Sequence, residues 1–198
     1  MLQINILVFE NFEPLDVFGP MEIFLNAADF QPRLFTLSNS PLVSSFREIK
    51  LQVHPLRDID PHQTLLVPGG DGTRTYVHDK IFLQELQNLA HQAQYCLSVC
   101  TGSALLAATD FLNGKRATSN KAAFNWVTSI NSKVHWQPHA RWVVDGNCYT
   151  SSGISAGMDM TFAFLEEIQG SSAAEHVAQY LEYSRIKNPD NDPFAVDR

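Results

Sequence analysis

The sequence predicts one α/β domain, built on a mostly parallel β-sheet with helices on both faces, plus a small β-hairpin. Short apolar runs alternate with helical patterns along the 198 residues, an order typical of a parallel sheet covered on both sides. The runs are rich in Ile, Leu and Val, as fully buried strands are. The length suits one domain with a well-buried core and is marginal for two.

The first half of the chain is predicted to contain four strands and two helical segments. The strands span residues 3–9, 33–38, 50–54 and 64–67. Pro14 opens the first helical segment, which Gly19 and Pro20 are expected to bend or to split in two. The clearest helix spans residues 79–94, because its apolar side chains recur at i, i+3, i+4 and i+7.

The second half continues the alternation. Its predicted strands span residues 95–99, 141–145 and 148–151, and its helices residues 101–109, 155–169 and 173–183. Asp145-Gly146-Asn147 predicts a hairpin turn, because these residue types tolerate positive φ. The last stretch, residues 187–198, contains two prolines and is interpreted as a tail or docking arm. The domain itself is therefore predicted to span residues 1–186.

Composition and charge exclude several classes of protein. The net charge is −7, and Lys115-Arg116 is the only adjacent basic pair, whereas a nucleic-acid-binding module clusters its basic residues. The apolar runs are far shorter than the ~20 residues that cross a bilayer, and no signal peptide precedes the first strand. Three cysteines do not suggest a disulfide framework. We therefore expect a cytoplasmic protein that binds neither nucleic acid nor membrane.

Cys100 is the main candidate for chemistry. It stands in Ser-Val-Cys-Thr-Gly, between a buried strand and a helix of small residues, which is the pattern of a nucleophile elbow. The dipole and free N–H groups of the helix are expected to lower the pKa of the thiol and could stabilise an anion on a substrate. The alternative is a buried structural cysteine, and that interpretation is preferred for Cys96 and Cys148.

Two further strand ends carry candidate residues. Pro68-Gly69-Gly70-Asp71-Gly72 lets the backbone approach a ligand and is a candidate second N–H donor to an oxyanion, although it contains no phosphate-loop motif. Asp16 follows the first strand among apolar residues. If it points inward, desolvation would raise its pKa towards the range useful for proton transfer. The alternative is that Asp16 caps a helix.

Taken together, VFENFEPLDVFGPMEIF, LLVPGGDG and LSVCTGSALLAATDFLNGKRAT resemble the ThiJ/PfpI superfamily, and within it the isonitrile hydratase branch. The resemblance covers nearly the whole chain and implies a flavodoxin-like fold, a homodimer and no metal or organic cofactor. Cys100 matches the family's nucleophile, Thr101 the residue after it, and Asp16 the acid that partners the cysteine. SSGISAGMDMTFAFLEE resembles the family's glycine-rich loop, so Gly153 and Ile154 join Gly69, Gly70 and Asn120 as candidate substrate or oxyanion contacts.

The resemblance implies that Cys100 attacks a small-molecule isonitrile, giving an N-substituted formamide while Asp16 moves protons. Asn120 stands where many relatives have a histidine, and an amide cannot shuttle a proton. Three alternatives stay open: a ligand sensor related to transcription regulators, a glyoxalase-like enzyme acting on carbonyls, and a redox-sensing cysteine. The dispersed histidines show no zinc spacing, so no metal site is predicted.

Overall fold

The computed structural model describes residues 1–195. Its main sheet has seven strands, namely β1 Leu2–Leu7, β2 Phe30–Thr36, β5 His54–Pro55, β6 Thr64–Val67, β7 Cys96–Ser98, β10 Trp142–Asp145 and β11 Cys148–Ser151. Their order in the sheet is β10-β11-β7-β6-β1-β2-β5. Every neighbouring pair is parallel except β10 and β11, which are antiparallel. This confirms the predicted mostly parallel sheet and its hairpin.

Helices cover the two faces of this sheet. They are α1 Pro14–Asn26, α2 Thr73–Tyr76, α3 Lys80–Gln92, α4 Gly102–Ala108, α5 Phe124–Ile130, α6 Ala156–Gln169 and α7 Ser171–Tyr180. α1, α6 and α7 pack together, and α4 packs with α2, α3 and α5. Among the described residues, each helix is too short or too polar to span a membrane.

Helix α1 runs as one helix with Pro20 inside it, so it is not split in two, and the expected bend at Gly19 and Pro20 stays a prediction. Proline cannot donate a hydrogen bond to the preceding turn. The cost is offset by packing, since Val17, Ile23 and Phe24 are fully buried. α3 begins as expected for a capped helix, with the Asp79 side chain accepting from two backbone N–H groups of its first turn.

Four short strands form two small sheets beside the main one. They are β3 Leu42–Ser44, paired antiparallel with β4 Lys50–Gln52, and β8 Arg116–Ala117, paired parallel with β9 His135–Trp136. The predicted strand at residues 50–54 is therefore divided between β4 and β5. The segment after α7 has no helix or strand up to Ala195, and residues 196–198 of the predicted tail lie outside the described residues.

The topology gathers the candidate residues at one edge. β11, β7, β6 and β1 are neighbours and run parallel, so their carboxyl ends lie side by side. Ligands of open α/β sheets bind at this edge. Asp16, Gly69, Cys100 and Gly153 each follow one of these four strands.

Candidate active site

Cys100 lies in a strained turn between β7 and α4. Its φ is 56°, a left-handed conformation that is unfavourable for a residue with a side chain. The turn is held by hydrogen bonds: the Cys100 N–H donates to the Ser152 carbonyl (3.1 Å), and the Cys100 carbonyl accepts from the Ser119 hydroxyl (2.9 Å). Gly102 is needed because a Cβ there would overlap the Val67 carbonyl oxygen. The local geometry is that of the predicted elbow.

The thiol of Cys100 does not have the lowered pKa predicted from the sequence. Burial, and secondly the charge of Asp16, raise its pKa to about 12, while the backbone N–H groups of Ile154 and Thr101 and the side chain of Asn120 lower it. Only 5% of Cys100 is exposed, so desolvation of the thiolate outweighs the field of the short helix α4. The three donors nevertheless surround the sulfur and would stabilise negative charge there.

Asp16 is fully buried behind Cys100. Its Oδ2 accepts a hydrogen bond of 2.8 Å from the Gly69 N–H, while Oδ1 has no hydrogen-bond partner. Burial raises the pKa of the carboxyl to about 8; the Gly69 N–H lowers it, the charge of Glu13 raises it, and the Cys100 thiol lowers it. The carboxyl binds Gly69 across the sheet edge, so its role here is not helix capping.

The two glycines after β6 require a correction. They were predicted as donors to an oxyanion, but the Gly69 N–H is bonded to Asp16 and the Gly70 N–H to Thr101 Oγ1 (3.0 Å). Both groups therefore orient side chains of the site. Thr101 Oγ1 also accepts a hydrogen bond of 3.2 Å from Thr73, a residue that the sequence analysis missed.

The side chain of Asn120 also contacts the Cys100 thiol. Its Oδ1 accepts a hydrogen bond of 3.0 Å from the Ala123 N–H, which leaves the amide N–H₂ group to face the site. Nδ2 would lie 2.5 Å from a Cβ added to Gly153, so Gly153 allows this approach. Ile154 follows with a strained φ of 31° and presents its N–H to Cys100.

A cavity of about 220 Å³ opens above these groups. Its lining includes predicted residues, namely Gly70, Cys100, Thr101, Asn120 and Ile154, and others that the sequence analysis did not single out, namely Glu13, Phe46, Asp71, Thr73, Arg74 and Ala123. The guanidinium of Arg74 lies 4.2 Å from the ring centroid of Trp126. Arg74 directly follows the glycine-rich loop and Thr73, and that position was the only signal for it in the sequence.

Other candidates lie elsewhere. Cys96 and Cys148 are buried partners on β7 and β11, as expected of core residues. In the described part of the chain, no group of three or more His, Cys, Asp or Glu side chains is placed to hold a metal ion.

The sequence profile of the DJ-1/PfpI family matches residues 2–167. The chain belongs to the DJ-1/PfpI family. Among relatives of this family, the isonitrile hydratase of Pseudomonas putida is 34% identical over 203 aligned residues, which cover 98% of this chain and 86% of that protein.

Two solved structures of the DJ-1/PfpI family illustrate the shared fold. A ThiJ/PfpI family protein from Pseudomonas syringae has a TM-score of 0.80 at 26% identity, over 98% of this chain and 77% of the other. DJ-1beta of Drosophila melanogaster has a TM-score of 0.80 at 17% identity, over 92% of this chain and 98% of the other. At such identity the second likeness concerns the fold alone.

The arrangement offers two protons and one potential nucleophile in a buried place. Asp16 and Cys100 are both neutral at moderately acidic pH, since their pKa values are about 8 and 12. A carboxyl with such a raised pKa can give a proton near neutral pH and take one back. Thiol addition to a polarised carbon is chemistry that such a pair can perform.

Proposed function

We propose that the protein hydrates a small isonitrile to an N-substituted formamide, with Cys100 as nucleophile and Asp16 as proton carrier. The observation that carries this proposal is the buried carboxyl of Asp16, held by Gly69 on one oxygen and unpartnered on the other, next to the Cys100 thiol. The similarity to the isonitrile hydratase of Pseudomonas putida supports this choice of reaction.

In the first step the thiol adds across the terminal carbon of the isonitrile. The Sγ–C bond forms, Asp16 gives its proton to the same carbon, and the thiol proton replaces the one that Asp16 has lost. The product is a thioimidate, R–N=CH–S–Cys100. The N–H groups of Thr101 and Ile154 and the Asn120 amide stabilise the charge that develops on sulfur, because they are the donors that favour the thiolate.

In the second step water replaces sulfur. Asp16, protonated again after the first step, gives its proton to the substrate nitrogen and takes one from the water that adds to the thioimidate carbon. The C–S bond of the resulting R–NH–CH(OH)–S–Cys100 then breaks, its electron pair returns to Cys100, and the hydroxyl proton passes to the sulfur. R–NH–CHO leaves, and both the thiol and the Asp16 carboxyl are restored. The atoms balance with water as the only co-reactant, so no oxidant, reductant or cofactor enters the scheme.

The test is the rate of formamide production from cyclohexyl isocyanide by the purified protein. Cys100→Ala and Asp16→Asn are expected to abolish it, and Thr101→Val, which replaces only the hydroxyl with a methyl group, is expected to lower it. Methylglyoxal is run in parallel as a carbonyl substrate. Loss of methylglyoxal without any formamide would overturn the hydratase proposal in favour of the carbonyl chemistry.

A ligand sensor is the second candidate, because the pKa of about 12 keeps Cys100 as a thiol in the free protein. A sensor would bind in the same cavity and leave the molecule unchanged. Saturable binding of the isonitrile, measured by calorimetry with no formamide released over hours, would favour this candidate.

We also propose that the protein is a cytoplasmic homodimer. One face of α1 exposes Leu15, Phe18 and Leu25, and their spacing of three and seven residues places them in one stripe. A second copy packed on the stripe would bury it. Light scattering should give twice the chain mass for the wild type and the mass of a monomer for Phe18→Glu.

The three free cysteines fit a reducing compartment, and cell fractionation tests the location.

A further inference from the structure

A second cavity, of about 320 Å³, lies beside the first. Asn120 and Ile154 line both cavities, so the second cavity adjoins the one that Cys100 lines. The first cavity is lined by the charged side chains of Glu13, Asp71 and Arg74 as well as by Phe46. The second is lined by Ala122, Ile154 and Phe194, together with serine, glycine and Lys121.

Lys121 does not make the second cavity a charged one. Its ammonium is turned into the protein, where it donates to Thr118 Oγ1 (2.9 Å) and to the Ala140 carbonyl (2.6 Å). The side that the lysine presents to the cavity is therefore its aliphatic stem. The cavity suits an apolar group.

Phe194 reaches this place because the segment after α7 is fixed to the domain. Pro189 accepts a hydrogen bond of 2.7 Å from the Arg141 N–H, and the Asp192 N–H donates to the His139 carbonyl (2.7 Å). The buried guanidinium of Arg141 lies between two buried carboxylates, 2.6 Å from Asp159 and 3.7 Å from Asp192.

Asp192 connects this ion cluster to Phe194. Its Oδ1, which pairs with Arg141, also accepts a hydrogen bond of 3.0 Å from the Phe194 N–H. The Asp192 side chain is almost fully buried, whereas Phe194 is 69% exposed. An exposed ring held in place by a buried anchor lies at the cavity, where a bound apolar group would cover it.

We propose that the second cavity binds the N-substituent of the isonitrile, that Phe194 selects bulky alkyl or aryl substituents, and that Asp192 is a positioning residue for Phe194. This inference rests on the proposed function. The C–N–R unit of an isonitrile is linear, so a carbon at Sγ of Cys100 directs R away from the thiol. The route past Asn120 and Ile154 leads to apolar walls, whereas the first cavity offers charged ones.

The test compares cyclohexyl isocyanide with methyl isocyanide. Phe194→Ala is expected to raise KM for the cyclohexyl substrate at least fivefold with kcat little changed, and to leave kcat/KM for the methyl substrate within twofold. Asp192→Asn should also reduce the preference for the cyclohexyl substrate. Phe194→Leu, which keeps a large apolar side chain, should retain most of the preference that Phe194→Ala loses. Tyr180→Ala is the matched control, because Tyr180 is an aromatic residue of similar exposure (70%) on α7.

A second readout separates this inference from the proposed function. Alkylation of Cys100 is measured with N-cyclohexylmaleimide and N-methylmaleimide, a reaction that involves no hydration. The Cys100→Ala variant shows how much of the alkylation occurs at other sites. Wild type should prefer the cyclohexyl reagent and Phe194→Ala should lose the preference, even if no isonitrile is turned over. A preference that Phe194→Ala leaves intact, or that Phe46→Ala removes instead, would overturn the inference.

Discussion

The charge of Asp16 raises the pKa of Cys100, whereas the thiol of Cys100 lowers the pKa of Asp16. The two effects have opposite signs because the neutral thiol favours the first negative charge, on Asp16, and that charge opposes a second one on the sulfur. The carboxyl therefore ionises before the thiol. The thiol must therefore lose its proton as the sulfur attacks the substrate, and Asp16 can accept that proton once it has given its own to the substrate carbon.

Asp16→Asn is expected to stabilise the fold, increasingly so between pH 4 and pH 8. Folding raises the pKa of Asp16 from 3.8 to about 8, so the native state binds more protons than the unfolded state in this window. As the pH rises, the wild type then loses up to about 1.4 kcal/mol of unfolding free energy per pH unit. Asp16→Asn does not, because its amide does not titrate. Urea unfolding at pH 4.5, 6 and 7.5 measures the difference, and a difference independent of pH would contradict the prediction.

The same substitution is expected to make Cys100 more reactive while abolishing turnover. Without the carboxylate, the pKa of Cys100 falls from about 12, and alkylation at pH 9 rises roughly tenfold for each unit of the fall. Iodoacetamide rates followed by mass spectrometry measure this effect, with Cys100→Ala as the blank. If Asp16 instead activated the thiol in the free protein, Asp16→Asn would slow alkylation.

The main sheet could be predicted from the sequence because its strands are apolar runs that need no partner to be recognised. The strands β8 and β9, of two residues each, show no periodicity and were not predicted. α5 was missed as well, since Phe124–Ile130 contains aromatic and β-branched residues that favour strands. The structure of β8, β9 and α5 is determined by tertiary packing rather than by the local preference of their residues.

The site was predictable where chemistry follows a strand end. Cys100 and Asp16 were found in this way. The pKa of Cys100 was predicted in the wrong direction, because local sequence shows the helix that follows and not the burial by distant residues. Gly69 and Gly70 were assigned to an oxyanion for the same reason: a glycine-rich turn shows that N–H groups are accessible, and only the fold shows that Asp16 and Thr101 already bind them.

Asn120 is expected to have two separable roles. Asn120→Ala removes the acceptor for the Ala123 N–H and the donor that favours the Cys100 thiolate, so it should lose about 1 kcal/mol of stability and at least roughly tenfold in kcat. Asn120→Asp keeps the acceptor and should lose kcat alone. Thermal unfolding beside the formamide assay separates the two, and wild-type kcat in Asn120→Asp would show that the amide N–H is not needed.

Gly153→Ala is expected to impair activity, whereas Gly102→Ala is expected to impair stability. A Cβ on Gly153 would lie 2.5 Å from Asn120 Nδ2, the end of a side chain that can move, whereas a Cβ on Gly102 meets the backbone oxygen of Val67. Gly102→Ala should therefore lose about 1–3 kcal/mol of unfolding free energy. Gly153→Ala should retain stability and lose kcat, because the amide is displaced from Cys100.

A double-mutant cycle tests this displacement directly. If the added methyl group acts only by moving the Asn120 amide, Gly153→Ala has little left to affect once Asn120→Ala has removed that amide. The coupling between the two substitutions in kcat should then be nearly as large as the effect of Gly153→Ala alone. Additive losses would mean that the methyl group acts elsewhere, for example on the strained backbone of Ile154. Displacement of the Asn120 amide would then not be the cause of the lower kcat.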